Sequence, residues 1–218
     1  MRHRVFIAIN LPEDIKKKLA DYESRWPELP VRWTKKDNLH LTLAFLGSLT
    51  DEELLEVCKT TKEVASRHEP FFINLTKIIY GPPKSTPRSM SSSNSFPRSS
   101  RSSAEGGTPR MVWVEGERSE ELKKLQNDLE KTLGSAEGND YTPHLTLGRL
   151  KQWEFQVIEP AERPEINEEI NLSFEVNSIE VMESELKRTG PEYAVLESCP
   201  LKTGDEVATS SSSAFFIR

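Results

Sequence analysis

With 218 residues, 35% of them hydrophobic and 29% charged, the chain can bury one core or two intimate lobes, and it has no apolar run near the ~18 residues that a membrane span needs. Twenty-nine Lys and Arg against 35 Asp and Glu leave a net charge of −6, which excludes a protein that coats nucleic acid indiscriminately, because phosphate-driven affinity needs a basic face. Cys58 and Cys199 fall in no C-x-x-C pattern, so neither a disulfide framework nor a zinc site is indicated, and reduced thiols in a cytoplasmic protein are expected.

The first residues carry a basic pair before a short apolar stretch with no small-residue cleavage site, so no secretory leader is expected. Residues 5–9 are apolar and β-branched and end at Asn10-Leu11-Pro12, which predicts a buried strand feeding a helix with proline in its first turn. That helix is expected over residues 12–26, with Ile15, Leu19, Tyr22 and Trp26 on one face and Lys16, Lys17 and Lys18 outside. Pro27 and Pro30 end it. The segment His40-Leu41-Thr42-Leu43-Ala44-Phe45-Leu46-Gly47 reads as a strand closed by glycine. Thr50 and Glu53 form a capping box for a helix reaching about His68, and residues 71–80 read as another strand before Gly81-Pro82-Pro83.

Residues 84–109 are dominated by serine, proline, arginine and glycine and offer almost nothing to a core, which predicts a disordered insertion. A strand is expected over 111–114, then a helix over 119–133 with Leu122, Leu125, Leu129 and Leu133 inward and Gly134 as its stop. His144-Leu145-Thr146-Leu147-Gly148-Arg149 follows, and residues 170–181 and 193–201 supply at least two further strands around Gly190-Pro191. The expected organisation is one domain over 1–203 and a loose tail over 204–218.

Strand, helix and His-Leu-Thr-Leu recur in the same order in both halves, an internal repeat of two units. Two units are too few for a solenoid and predict two related lobes facing each other. In a strand, residues i and i+2 share a face, so His40 projects with Thr42 and His144 with Thr146, while Leu41, Leu43, Leu145 and Leu147 anchor the other face. A lone histidine on a strand is usually structural. Two identical settings among only four histidines point instead to function.

Imidazole titrates near neutrality, so one ring can hold a proton while its partner does not. Two such rings across a cleft supply an acid and a base, and threonine hydroxyls with an arginine can hold phosphate oxygens between them. No P-loop glycines, no closely spaced His ligands and no G-x-S-x-G occur, which turns the reading away from nucleotide triphosphate, metal-assisted and serine chemistry. No cofactor is expected. RNA contact should be local, with Arg32, Lys35 and Lys36 before the first motif and Arg149 and Lys151 after the second as the basic patch.

The segments HLTLAFLG and YTPHLTLGR resemble the paired H-x-T-x motifs of the two-histidine phosphoesterase superfamily. With RVFIAINLP, VRWTKKDNLHLTLAFLG and GPEYAVLESCPL, the chain resembles the RNA 2′,3′-cyclic phosphodiesterases, formerly named 2′-5′ RNA ligases, over nearly everything except 84–109 and the tail. The resemblance implies an α+β, bilobal, pseudo-twofold fold with two antiparallel sheets lining a central cleft and helices outside. It implies His40 as proton donor to the departing 3′ oxygen, His144 as the base that activates water, and a 2′-phosphate product. Thr42, Thr146 and Arg149 would bind phosphate. Trp33, Phe45 and Tyr141 are candidates for stacking a nucleobase. The substrates expected are RNA ends or small cyclic nucleotides, with no membrane, no obligate protein partner and a monomeric chain. Ligation, another cyclic nucleotide, or a non-catalytic module binding an RNA end through the same clamp are the alternatives.

Overall fold

Alternating apolar residues build an antiparallel sheet in a computed structural model that describes residues 1–82, 108–134, 141–188 and 190–202. The order is β1 (His3–Asn10), α1 (Glu13–Asp21), β2 (Val31–Trp33), β3 (His40–Leu49), α2 (Asp51–Ala65), β4 (Phe71–Gly81), β5 (Met111–Gly116), α3 (Glu120–Leu133), β6 (His144–Leu150), α4 (Gln152–Val157), β7 (Asn167–Val176), β8 (Ser178–Lys187) and β9 (Gly190–Pro200). Among the described residues these strands form one sheet in the order β7-β4-β5-β6-β3-β1-β8-β9, with β2 added on β6.

The two expected sheets are two four-stranded leaves of this one sheet. They meet where β3 and β6 pair through a single residue pair, Leu41 opposite Leu145. Val5, Ile7, Ile9, Leu41, Leu43, Val112, Val114, Leu145 and Leu147 point to one face, and Ile15, Leu19, Val64, Ala65, Leu122, Leu125 and Leu129 of the helices pack there in one core. The opposite face carries a smaller cluster of Phe6, Ala8 and Met182 with Tyr193 against it, and is otherwise open.

Helix ends follow the sequence closely. The Thr50 hydroxyl accepts from the Glu53 amide and the Glu53 carboxylate accepts from the Thr50 amide, the expected capping box. Ser119 caps α3 by accepting from the Leu122 amide, and Gly134 ends it in the left-handed region. Other boundaries move. The first helix stops at Asp21 and tightens into a 3-10 turn over Tyr22–Arg25. Lys16, expected outside, is buried at 6% exposure, because its stem lies along the core while its Nζ reaches the Asp37 carbonyl at 3.5 Å. Gly47 does not close its strand: with φ 78 it sits inside β3, which continues to Leu49. The expected late strands, at least two, are three, and β2 and α4 are additions to the expected order, α4 being too short to show a helical period. The expected insertion and tail lie outside the described residues, except that Pro109 accepts from the Gln152 amide at 3.0 Å. No helix among the described residues is long and apolar enough to cross a membrane.

The register of the inner strands fixes what faces the open side. β1 pairs with β3 through Ala8–Thr42, Ile7–Ala44 and Phe6–Phe45, so Leu43 has no partner and forms a bulge. β5 pairs with β6 through Trp113–Thr146, Val112–Gly148 and Met111–Arg149, so Leu147 forms the same bulge in the other leaf. A bulge shifts side-chain parity by one. Phe45 and Arg149, which strict alternation would turn into the core, therefore face the open side with the histidines.

Candidate active site

Leu41 opposite Leu145 sets the local count between the two motif strands. On the open face Thr42 then lies across from His144, and Thr146 across from His40. The two imidazoles take diagonal corners of one patch and the two hydroxyls take the others. All four side chains line a single cavity of about 1300 Å³ between the leaves.

Each ring is held in the same way. His40 Nδ1 donates to the Asn38 carbonyl at 2.7 Å, and His144 Nδ1 donates to the Thr142 carbonyl at 2.9 Å. A carbonyl only accepts, so in each neutral ring the proton sits on Nδ1 and the Nε2 lone pair is left for the cavity. Asn38 is itself tied down, its side-chain amide donating to the Pro191 carbonyl at 2.8 Å.

The surroundings of the rings differ. His40 lies 4.9 Å from the Phe6 ring and edge-on to Tyr193 at 5.1 Å, with its Nε2 3.0 Å from the Thr42 hydroxyl. Burial lowers its pKa below the ordinary imidazole value, the Asn38 carbonyl pulls the other way, and the buried Lys16 ammonium lowers it further. His144 stacks face-on over Trp113, centroids 3.8 Å apart and planes at 22°. Behind that indole a side chain on Gly81 would stand 2.2 Å from Trp113 Cδ2, so the ring is wedged between backbone and imidazole. The Thr146 hydroxyl points to Met111 Sδ at 4.0 Å.

Of the remaining residues singled out from the sequence, Phe45 is 71% exposed on the cavity wall, 6.2 Å from Phe6. Arg149 lines the wall of the other leaf. Trp33 also lines the cavity, though its ring stacks on Trp26 at 6.4 Å and is partly buried in the core. Tyr141 packs against the core, and its hydroxyl donates to the Thr42 carbonyl at 2.8 Å, linking the segment before β6 to β3; burial pushes its pKa up. Of the expected basic patch, Arg32 and Lys35 reach the cavity, whereas Lys36 is paired with Glu13 and Lys151 with Glu154. Sequence reading missed Phe6, Tyr193, Asn38 and Trp113. None left a local signal: that Trp113 matches Ala8 of the other leaf, each opposite its motif threonine, emerges only from the strand register.

With two histidines lining one cavity, each fixed through Nδ1, such a patch can take a proton from one side of a bound tetrahedral group and return one on the other. The LigT-like phosphoesterase model matches residues 9–90 and 112–193, one stretch through each motif. The chain belongs to that family. It is 26% identical over 198 residues to an RNA 2′,3′-cyclic phosphodiesterase of Methanocaldococcus jannaschii, covering 89% of this chain and 98% of that protein. A crystal structure from Thermus thermophilus superposes with a TM-score of 0.70 at 25% identity, covering 93% of this chain and all of the other. Escherichia coli LigT complexed with phosphate superposes with a TM-score of 0.61 at 25% identity, over 93% of this chain and 99% of that one. The LigT-like fold expected from the motifs is thus the fold observed. Among the described residues no group of three or more His, Cys, Asp or Glu stands together as a metal site would require.

Proposed function

We propose that this LigT-like phosphoesterase hydrolyses terminal 2′,3′-cyclic phosphates of RNA to 2′-phosphates, with His40 and His144 as acid and base. The observation that carries the reading is the matched Nδ1 anchoring of two histidines that line one cavity, with His40 Nε2 hydrogen-bonded only to the Thr42 hydroxyl that would turn to a phosphate oxygen. The names of its relatives, from an RNA 2′,3′-cyclic phosphodiesterase to a LigT that binds phosphate, support the substrate.

The step balances with water alone. His144 Nε2 takes a proton from water as its oxygen attacks phosphorus, the P–O3′ bond breaks, and His40 Nε2–H gives its proton to O3′. The product carries a 2′-phosphate and a free 3′-hydroxyl. Thr42 and Thr146 hold non-bridging oxygens, and Arg149 offsets the charge that builds on them in the transition state. Phe45, exposed beside Phe6, is the stacking platform for the terminal base, while Tyr141 acts as a latch through its bond to the Thr42 carbonyl. The low pKa of His40 makes it a strong acid once charged, and the anionic phosphate at its Nε2 supplies the stabilisation for charging it.

The test is chemical. Purified protein in EDTA is given an RNA ending in a 2′,3′-cyclic phosphate, and the product phosphate is located by ³¹P NMR. A 2′-phosphate is expected; a 3′-phosphate, or loss of activity in EDTA, overturns the reading.

A further inference from the structure

We propose that Arg32, set beside Arg149, forms a second anion subsite that binds the internucleotide phosphodiester one nucleotide upstream of the scissile group. The inference rests on the reading above and extends it from the RNA end to the chain behind it.

Among the described residues β2 pairs only with β6, and its register sets Arg32 opposite Arg149. Directly opposite residues share a face, and like charges there are destabilising. The fold nevertheless fixes the pair firmly. The Thr34 amide donates to the Leu147 carbonyl at 2.9 Å and the Thr34 hydroxyl to the Thr146 carbonyl at 2.8 Å, so β2 is indexed to the strand that carries His144 and Thr146. Gly148 makes the approach feasible, since a Cβ there would stand 2.4 Å from Val31 Cγ1 and 2.8 Å from Trp33 Cε3.

Arg4 also lines the cavity, from the other leaf, and four further cations are neutralised within the protein. Lys35 lies 3.9 Å from Glu192, Lys36 is paired with Glu13, Arg25 with Glu168 and Lys151 with Glu154. Arg32 and Arg149 have no carboxylate partner among the described residues, and both line the cavity. Two opposed guanidinium groups without a counter-ion, aimed into a cleft, are complementary to anions from outside. Arg149 serves the terminal phosphate. A terminal nucleotide closed as a 2′,3′-cyclic phosphate continues only through its 5′ oxygen, so the next anion in the substrate is the upstream phosphodiester, which falls to Arg32. The cavity, about 1300 Å³, exceeds the roughly 300–1,000 Å³ of a usual small-molecule site and has room for that second residue.

The experiment compares an RNA trimer with adenosine carrying the same end group, in wild type and Arg32→Gln. Binding of the two 2′-phosphate forms is measured by calorimetry across a salt series, and kcat/KM with the two 2′,3′-cyclic forms. Wild type is expected to favour the trimer about tenfold or more. Arg32→Gln should lose most of that preference and flatten the trimer's log–log salt slope by about 0.7, the value for one phosphate contact on a single strand. Equal binding of both ligands by wild type, or an equal loss on both in the variant, overturns the subsite. Failure of the hydrolase reading is seen separately, as absence of turnover with either cyclic substrate while the binding series still reports on Arg32.

Discussion

Three residues beyond Thr42 in one leaf stands Phe45; three residues beyond Thr146 in the other stands Arg149. Each is delivered to the cleft by a bulge at the intervening leucine, Leu43 or Leu147. Backbone, register and histidine anchoring repeat, while the delivered side chain does not. Beside Phe45 lies Phe6, and beside Arg149 lie Met111 and Arg32. The repeat therefore supplies a symmetric pair of histidines and threonines, which the proposed mechanism uses for proton transfer on two sides of phosphorus, and its divergence gives one apolar wall and one basic wall, proposed to take the base and the phosphates. Ala44 and Gly148 show the same relation in packing: they occupy matching positions, but among the described residues Ala44 pairs with β1 alone, whereas Gly148 pairs with β5 and also with β2, whose Val31 and Trp33 crowd it.

The largest effect should come from breaking the shared part. His40→Ala or His144→Ala is expected to lower kcat/KM by about 10²- to 10⁴-fold, and the double variant by less than the product of the singles, because the two act on one step. An active single variant would separate the halves functionally. Next come the divergent side chains. Arg149→Ala should cost about 10²- to 10³-fold, mainly in kcat, whereas Phe45→Ala should act on KM, at about 1–3 kcal/mol for a lost stacking partner. Matching effects on the same parameter would erase the proposed division of labour.

Smaller again is the packing contrast. Gly148→Ala should destabilise by about 1–3 kcal/mol in denaturant unfolding as β2 is pushed off β6, and Ala44→Gly by only about 0.5–1 kcal/mol. The subtlest difference is electrostatic. The proton donor must be charged, so the alkaline limb of kcat/KM in the free enzyme should lie below the ordinary imidazole value near 6.5. Lys16→Met removes a positive neighbour of His40 and should move that limb to higher pH; a move to lower pH would contradict the assignment. The same depressed pKa means that the folded chain binds this proton less readily than the unfolded chain. Its stability contribution is thus present above the unfolded value near 6.5 and lost as pH falls toward the folded one.

The repeat and both catalytic candidates were legible because His-x-Thr and flanking leucines carry a period of two, which a strand must honour. The bulges were not, since an unbroken apolar run such as Leu-Ala-Phe-Leu conceals a change of parity. A clue was present all the same. By strict alternation from His144, Arg149 belongs in the core, and a guanidinium placed there signals a bulge. β2 was missed because three residues show no alternation, and its position depends on Gly148, far along the chain. Lys16 was misplaced because a lysine on an apolar helix face can bury its stem and hide its amine. The rings around His40 come from β1 and β9, at opposite ends of the described chain, and no local pattern joins them.

The central claim is that two imidazoles from matching strands straddle one phosphorus. It is tested most directly by a crystal structure with a nucleoside 2′,3′-cyclic vanadate in the cleft. His40 Nε2 is expected at about 2.6–3.2 Å from the 3′ oxygen and His144 Nε2 at a similar distance from the apical oxygen opposite. A vanadium centre touched by only one of the two rings, or bound with both rings on the same side, would contradict it.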